Sequence, residues 1–106
     1  MLADERCGVC SGKTPALGED EAQALLAELD PGWAIAGGRL RRTWRFPDFA
    51  TALARVNAIG ALAEAEGHHP DLHLGWGRLT VELWTHAIHR LSRADFVLAA
   101  KVDRLG

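Results

Sequence analysis

The feature that most constrains this fold is a pair of short alternating motifs, each interrupted by glycine, on either side of a long alanine-rich segment. Residues 33–36 and 40–46 flank Gly37-Gly38, and residues 72–76 and 79–83 flank Gly77. Alternating apolar and polar side chains are typical of half-buried strands, and turns this short join antiparallel neighbours. The sequence therefore predicts two β-hairpins. Only Arg42 interrupts the alternation, and the pattern gives no reason for it.

Three segments with helical periodicity surround the hairpins. The first covers residues 19–29, and its acidic first turn suits the positive end of a helix dipole. The second covers residues 48–66, with Gly67 as a left-handed C-terminal stop. The third follows Ser92-Arg93-Ala94-Asp95, which has the form of a capping box, and runs to about Asp103. We therefore predict an α+β fold of order α-β-β-α-β-β-α, with three helices packed on one face of a four-stranded antiparallel sheet.

Length and composition fit one small domain. The chain has 106 residues, which suffice for one core, and we assign residues 1–18 to an irregular leader and 19–106 to a single domain. No apolar run of about 18 residues and no basic-then-apolar N-terminus occurs, so we expect no membrane span, no secretory signal and a cytoplasmic location. The formal net charge of −2, with charges interspersed, argues against direct nucleic-acid binding.

Two cysteines, Cys7 and Cys10, form a Cys-x-x-Cys motif in the leader. Thiols at this spacing form half of a zinc site, form a redox pair, or have no special role. No second Cys-x-x-Cys follows, and the motif does not open a helix after a strand. The pattern favours no special role and leaves the other two interpretations open.

All five histidines fall between residues 68 and 89. His68 and His69 follow the long helix and precede Pro70, and His86 follows the last predicted strand. Because the two ends of a hairpin lie side by side, pairing about Gly77 brings residues 68–70 next to residues 85–86. Imidazoles around one pocket allow a base and an acid to act on the same substrate. This convergence is the predicted site.

Each of these residues also has a purely structural explanation. A His-His-Pro sequence is most often a turn, Asp95 is adequately explained as a helix cap, and Glu64 as a solvated helix residue. His73 is predicted to face away from the apolar side of its strand, at the surface. The spacing of His86 and His89 invites a metal interpretation, but no carboxylate stands at a ligand-like spacing, so we expect no metal.

Together, the candidate residues resemble the signature of the pterin-4a-carbinolamine dehydratase family. The signature runs Glu64, three residues, His68-His69-Pro70, five residues, Trp76, nine residues, His86, eight residues, Asp95, and every interval fits. The stretches at 64–70, 76–81 and 95–100, together with the Cys-x-x-Cys leader, are similar to bacterial members.

The resemblance implies a hydro-lyase that converts 4a-hydroxytetrahydropterin to quinonoid dihydropterin, which recycles the tetrahydrobiopterin of aromatic amino-acid hydroxylases. It implies no metal and no organic cofactor. It also implies a homodimer joined through sheet edges, or a homotetramer joined through the long helix.

The resemblance further assigns roles by position. His68 and His86 would be the principal acid–base pair, His69 would assist, Asp95 would hold a histidine in its useful tautomer, and Glu64 would support the site. The pterin-binding residues that it implies are His68, His69, Pro70, Trp76, Thr85, His86 and Ala87.

Relatives in this family also suggest an alternative. Some resemble this chain yet act as dimerisation cofactors of a transcription factor, or as assembly factors for Rubisco associated with carboxysomes, so catalysis can be absent while the fold is reused. Arg39, Arg41, Arg42 and Arg45 crowd one hairpin. Such a cluster could meet an acidic protein partner, or could be a solvated strand face.

Overall fold

The computed structural model describes residues 1–8 and 10–105. Val9, inside the Cys-x-x-Cys motif, and Gly106, at the end of the predicted domain, lie outside the described residues. One turn of 3-10 helix, Leu2–Asp4, comes first. The other elements are α1 (Glu19–Leu26), β1 (Ala34–Ala36), β2 (Arg39–Arg45), α2 (Phe49–Glu66), β3 (Asp71–Gly75), β4 (Arg78–Leu83) and α3 (Arg93–Arg104).

The four strands form one antiparallel sheet in the order β1-β2-β4-β3. Leu40 of β2 pairs with Leu83 of β4, and Leu72 of β3 pairs with Val81 of β4. The inward-facing side chains of β4 are fully buried beneath the helices. The predicted α+β fold and its element order are confirmed.

The core lies between the sheet and the helices. Its fully buried large side chains come from β2, β4, α2 and α3: Leu40, Ile59, Leu79, Val81, Leu83, Phe96 and Leu98. Burying one Leu or Phe side chain stabilises the folded state by roughly 1.5–3 kcal/mol, so this layer fixes how α3 sits on the sheet.

Both ends of α2 are set by single residues. The Asp48 carboxylate accepts a hydrogen bond from the Thr51 backbone N–H at 2.8 Å, which caps the first turn. Gly67 ends the helix with φ of +66°, a left-handed conformation that favours glycine. This stop releases the chain at the end of the sheet, where His68 begins the site.

Arg42, which interrupted the strand alternation, faces the helices. Its guanidinium Nη1 lies 2.8 Å from Asp103 Oδ1 and 3.5 Å from Asp30 Oδ2, and the group stacks over the Trp44 ring. A charged side chain is tolerated on the inner face because α3 supplies the carboxylate that pairs with it.

The leader packs against the domain. Leu2 is buried, Glu5 forms a two-point ion pair with Arg93, and the Cys7 N–H donates to Glu66 Oε1 at 3.0 Å. These contacts hold the leader against α2 and α3, and it reaches the end of the sheet. Within the described ranges, no helix is long and apolar enough to cross a membrane.

Candidate active site

His68 and Asp95 form a buried pair behind the end of the sheet. His68 directly follows Gly67 in the chain, and its ring atom Nε2 lies 2.6 Å from Asp95 Oδ1. His68 is 6% exposed and Asp95 is 0% exposed. A short bond from a buried imidazole to a carboxylate places the ring proton on Nε2, because the carboxylate can only accept.

Asp95 is held by two further donors. Its Oδ2 accepts from the Ser92 backbone N–H at 2.9 Å, the return contact of the capping box, and from the Thr85 hydroxyl at 2.9 Å. Thr85 Oγ1 lies 2.6 Å from Ser92 Oγ. Because the Thr85 proton is used on Asp95, the Ser92 hydroxyl donates to Thr85. The Asp95 carboxylate therefore both completes the capping box of α3 and orients His68.

The other nitrogen of His68 faces a thiol of the leader. Cys10 Sγ lies 3.7 Å from His68 Nδ1. Burial, and then the negative charge of Asp95, raise the pKa of the Cys10 thiol, so the thiol keeps its proton at neutral pH. Since Nδ1 is the unprotonated nitrogen, the thiol donates to it. Sulfur is a weak donor, so this contact can be displaced by a better one.

Cys7 is directed elsewhere. Its thiol donates to the Ala94 carbonyl oxygen at 3.7 Å, and both cysteines are free thiols. Burial, and then the nearby Glu66 carboxylate, raise the pKa of Cys7 to about 12. Neither thiol has the lowered pKa typical of a redox-active cysteine.

His86 lies opposite this pair and is exposed. The ring centroids of His86 and Trp84 lie 4.3 Å apart with the planes tilted by 50°, and the Arg39 guanidinium lies 3.9 Å from the Trp84 ring. Trp84 thus supports the imidazole on one side, and the exposed ring of His86 stays accessible to solvent.

His69 is the third imidazole and is half exposed. Its Nε2 lies 3.2 Å from Glu64 Oε1, with 56% of the His69 side chain and 80% of the Glu64 side chain exposed. An ion pair this exposed contributes little to stability. Glu64 therefore orients His69 loosely, whereas Asp95 holds His68 firmly.

The three imidazoles line one cavity of about 260 Å³. Its lining residues are Cys10, Gly67, His68, His69, Trp84, His86 and Ala87. The hairpin accounts for this convergence, because Asp71 pairs with Glu82 and so places the start of β3 beside the end of β4.

The remaining residues that the sequence singled out lie in different places. Thr85 is fully buried behind the cavity, and Pro70 leads into β3 without lining the cavity. Trp76 lies in the turn at the opposite end of the β3–β4 hairpin and is 70% exposed. The structure thus does not bring Trp76 to the cavity of its own chain.

His73 and His89 lie outside the cavity. His73 is on the other face of the sheet, with Nε2 2.8 Å from Glu82 Oε1, as its alternation with Leu72 and Leu74 predicts. His89 adopts a left-handed φ of +52° in the loop after β4. Among the residues that the structure describes, no group of three His, Cys, Asp or Glu side chains is placed to hold a metal ion.

Two residues of the site were not recognised from the sequence. Trp84 supports His86. The available signal was its position, an aromatic residue at the end of the strand, two positions before His86. Cys10 contacts His68 across 58 residues of sequence. The Cys-x-x-Cys motif was visible, but nothing in its spacing pointed to a histidine.

Comparison with known proteins identifies relatives over nearly the whole chain. The family model described as Pterin 4 alpha carbinolamine dehydratase matches residues 15–105. A provisionally named pterin-4-alpha-carbinolamine dehydratase of Rickettsia bellii is 46% identical, covering 98% of this chain and 93% of the relative. One of the same name from Rubrobacter xylanophilus is 47% identical, covering 98% and 97%.

Solved structures show the same similarity. A transcriptional coactivator/pterin dehydratase from Brucella melitensis superposes with a TM-score of 0.80 at 29% identity, covering 86% of this chain and 98% of that one. A pterin dehydratase-like protein described as a RuBisCO assembly factor in the alpha-carboxysome gives a TM-score of 0.60 at 27% identity, covering 70% and 88%.

Proposed function

Because the chain belongs to the pterin-4a-carbinolamine dehydratase family, we propose that it dehydrates 4a-hydroxytetrahydropterin to quinonoid dihydropterin at the cavity of His68, His69 and His86. One observation carries this proposal. The buried Asp95 fixes the proton of His68 on Nε2, which leaves Nδ1 as a basic nitrogen beside a cavity shared with two other imidazoles.

The reaction needs one group to take a proton and another to give one. The proton on N5 of the pterin is removed, the C4a–O bond breaks, and the departing hydroxyl takes up a proton to leave as water. A double bond forms between C4a and N5, and the net change is loss of one water molecule. No electrons are transferred, so the side chains of the cavity suffice.

His68 is placed to act as the base. Once Nδ1 takes the N5 proton, the positive imidazolium is stabilised by the Asp95 carboxylate 2.6 Å from Nε2. Cys10 Sγ contacts Nδ1 through a weak bond, so the N5–H of the substrate replaces the thiol when it binds.

His86 is placed to act as the acid. Its exposed ring exchanges protons with water directly, and contact with the Trp84 ring keeps it at the cavity edge. His69, held loosely by Glu64, assists from the same rim. Among the cavity-lining residues, His68, His69, His86 and Ala87 offer backbone groups that could hold the polar edge of the pterin ring. Trp76 would contribute to binding only from another subunit.

The test is stopped-flow turnover of freshly generated 4a-hydroxytetrahydropterin. Wild type should accelerate dehydration, and His86→Ala should lose about 10²-fold or more of that acceleration, the usual contribution of a general acid. The matched control is His73→Ala, an exposed histidine on the other sheet face, which should retain wild-type turnover. No acceleration by folded wild type, or equal loss in both variants, would refute the proposal.

A second candidate function is protein assembly without catalysis. It is favoured by the similarity to the protein described as a RuBisCO assembly factor in the alpha-carboxysome. Under this hypothesis, Rubisco assembly in a reconstituted system should depend on the chain and be unaffected by His86→Ala. Turnover that requires His86, together with no effect on assembly, would leave only the dehydratase.

We also propose a homo-oligomer assembled through α2. Only Ala52, Ile59 and Ala63 of this helix are buried, while the outward side carries Phe49 at 44% exposure and Leu53 at 39%. A helix that is apolar on its outward side as well requires a second partner, and a second copy presents the same surface. The number of subunits (dimer or tetramer), binding of the pterin substrate and the cytoplasmic location remain predictions.

A further inference from the structure

The face of the sheet opposite the helices carries an unusual array of arginines. This outer face is a shallow depression lined by Arg41, Thr43, Arg45, His73, Arg78, Thr80 and Glu82. Of the four arginines that the sequence placed on the first hairpin, Arg42 belongs to the inner face and Arg39 packs on Trp84. The arginines that share the outer face are therefore Arg41 and Arg45 of β2 and Arg78 of β4.

The register places two of these arginines at directly opposed backbone positions. Arg45 of β2 pairs directly with Arg78 of β4. Among the described residues, no ion pair reaches Arg41, Arg45 or Arg78. Carboxylates of a partner can therefore pair with these guanidinium groups.

Gly75 provides the space for this arrangement. A Cβ atom at Gly75 would lie 2.9 Å from Arg78 Nη2, so the guanidinium lies over the bare backbone of β3. The floor beside it is formed by Thr43 and Thr80, whose hydroxyl oxygens are 2.8 Å apart. The result is a flat, polar floor with cations along its sides.

The two ends of the outer face differ in charge. At one end, Glu82 is engaged by His73 at 2.8 Å and by Arg39 at 3.8 Å. At the other end, the pair of Arg45 and Arg78 adjoins the turn that carries Trp76, the most exposed tryptophan in the described chain at 70%. Arginine and tryptophan are the residues most enriched at the energetic centres of protein interfaces.

We propose that the outer face docks an acidic segment of a partner protein. Its carboxylates pair with Arg45 and Arg78, and an apolar side chain next to them packs on Trp76. Bidentate carboxylate–guanidinium bonds suit this chemistry. A polynucleotide fits less well, because its continuous phosphate backbone extends to the carboxylates of Glu82 and Asp71 at the far end, which a short acidic segment does not reach.

The test uses fluorescence anisotropy of a labelled polyglutamate peptide that carries one leucine. The double variant Arg45→Gln/Arg78→Gln should weaken binding at least about tenfold, since two charge-assisted contacts are lost. The control Lys13→Gln/Arg90→Gln removes the same charge from exposed residues elsewhere and should bind as wild type does. Trp76→Ala should weaken the leucine peptide and leave its leucine-free version unchanged.

Several results would overturn the proposal. These are no binding by wild type, equal weakening in both double variants, or displacement of the peptide by a single-stranded oligonucleotide at lower concentration. Folding of each variant is checked by circular dichroism; we expect Arg45→Gln/Arg78→Gln to fold, because both side chains are exposed. Pterin turnover should be unchanged in that variant, so this docking surface and the proposed dehydratase activity can fail independently.

Discussion

Replacing Asp95 by Asn should sharply reduce turnover while leaving the protein folded. Three donors point at this buried carboxylate: His68 Nε2 at Oδ1, and the Ser92 N–H and Thr85 hydroxyl at Oδ2. An amide has one accepting oxygen, and that oxygen satisfies two donors if it takes the Oδ2 position. The amide NH₂ then faces His68 and requires a lone pair on Nε2.

This rearrangement moves the His68 proton to Nδ1, the nitrogen that faces the cavity. The ring then presents a donor where the reaction needs a base, and the stabilising charge is also lost. Turnover should fall by about 10²-fold to 10⁴-fold, the range of a general acid–base contribution. The free energy of unfolding should fall by only about 1–3 kcal/mol, the cost of one disrupted buried hydrogen bond.

Asp103→Asn is the matched control on the same helix. Its carboxylate also receives three donors, from Asp30 N–H, Trp33 Nε1 and Arg42 Nη1, but lies away from the cavity. Urea unfolding should show a comparable loss of stability, and stopped-flow turnover should stay at the wild-type rate. Full turnover by Asp95→Asn, or an equal loss of rate in Asp103→Asn, would refute the reasoning.

Three further predictions concern the thiol, the helix stop and the assembly. Because burial raises the pKa of Cys7 to about 12 from 9.0, its alkylation by iodoacetamide should be about a thousandfold slower than in urea. In the unfolded chain, the Cys7 thiol ionises at a lower pH than in the folded chain. The stability contributed by the protonated thiol therefore declines above pH 9. A Cys7→Ser variant with the same pH dependence of stability would argue against this. Gly67→Ala should lower the free energy of unfolding by about 1 kcal/mol because of the left-handed φ alone, as no atom lies within 4 Å of the added Cβ; an unchanged denaturation midpoint would contradict it. Leu53→Glu should reduce the molar mass measured by light scattering, whereas Lys13→Glu should not.

The sequence could predict the site to the extent that local rules determine it. Gly67 after the alanine-rich run predicted where α2 ends, and antiparallel pairing about the second turn predicted that His68 and His86 lie at the same sheet end. For Asp95, the sequence offers a helix cap and a partner for a histidine as separate explanations. The structure combines the two contacts, because the capping oxygen and the oxygen facing His68 belong to the same carboxylate.

Contacts between distant parts of the chain could not be predicted in this way. Periodicity tells which face a side chain occupies but not which element packs on that face, so the pairing of Arg42 with Asp103 was invisible. Cys10 reaches His68 only because leader contacts such as that of Glu5 with Arg93 fix the path of the chain. Trp76 is part of the family signature, yet it lies in the turn between β3 and β4, at the end of the hairpin away from the cavity.

The central claim, that His68 Nδ1 takes the N5 proton in this cavity, is tested most directly by a crystal structure with tetrahydrobiopterin bound under anaerobic conditions. This compound carries the N5–H but lacks the 4a hydroxyl, so it does not react. The account predicts that the ring lies in the cavity, with N5 at roughly 2.6–3.2 Å from His68 Nδ1 and Cys10 displaced from that nitrogen. A pterin bound elsewhere, or N5 directed away from His68 with the thiol still on Nδ1, would contradict it.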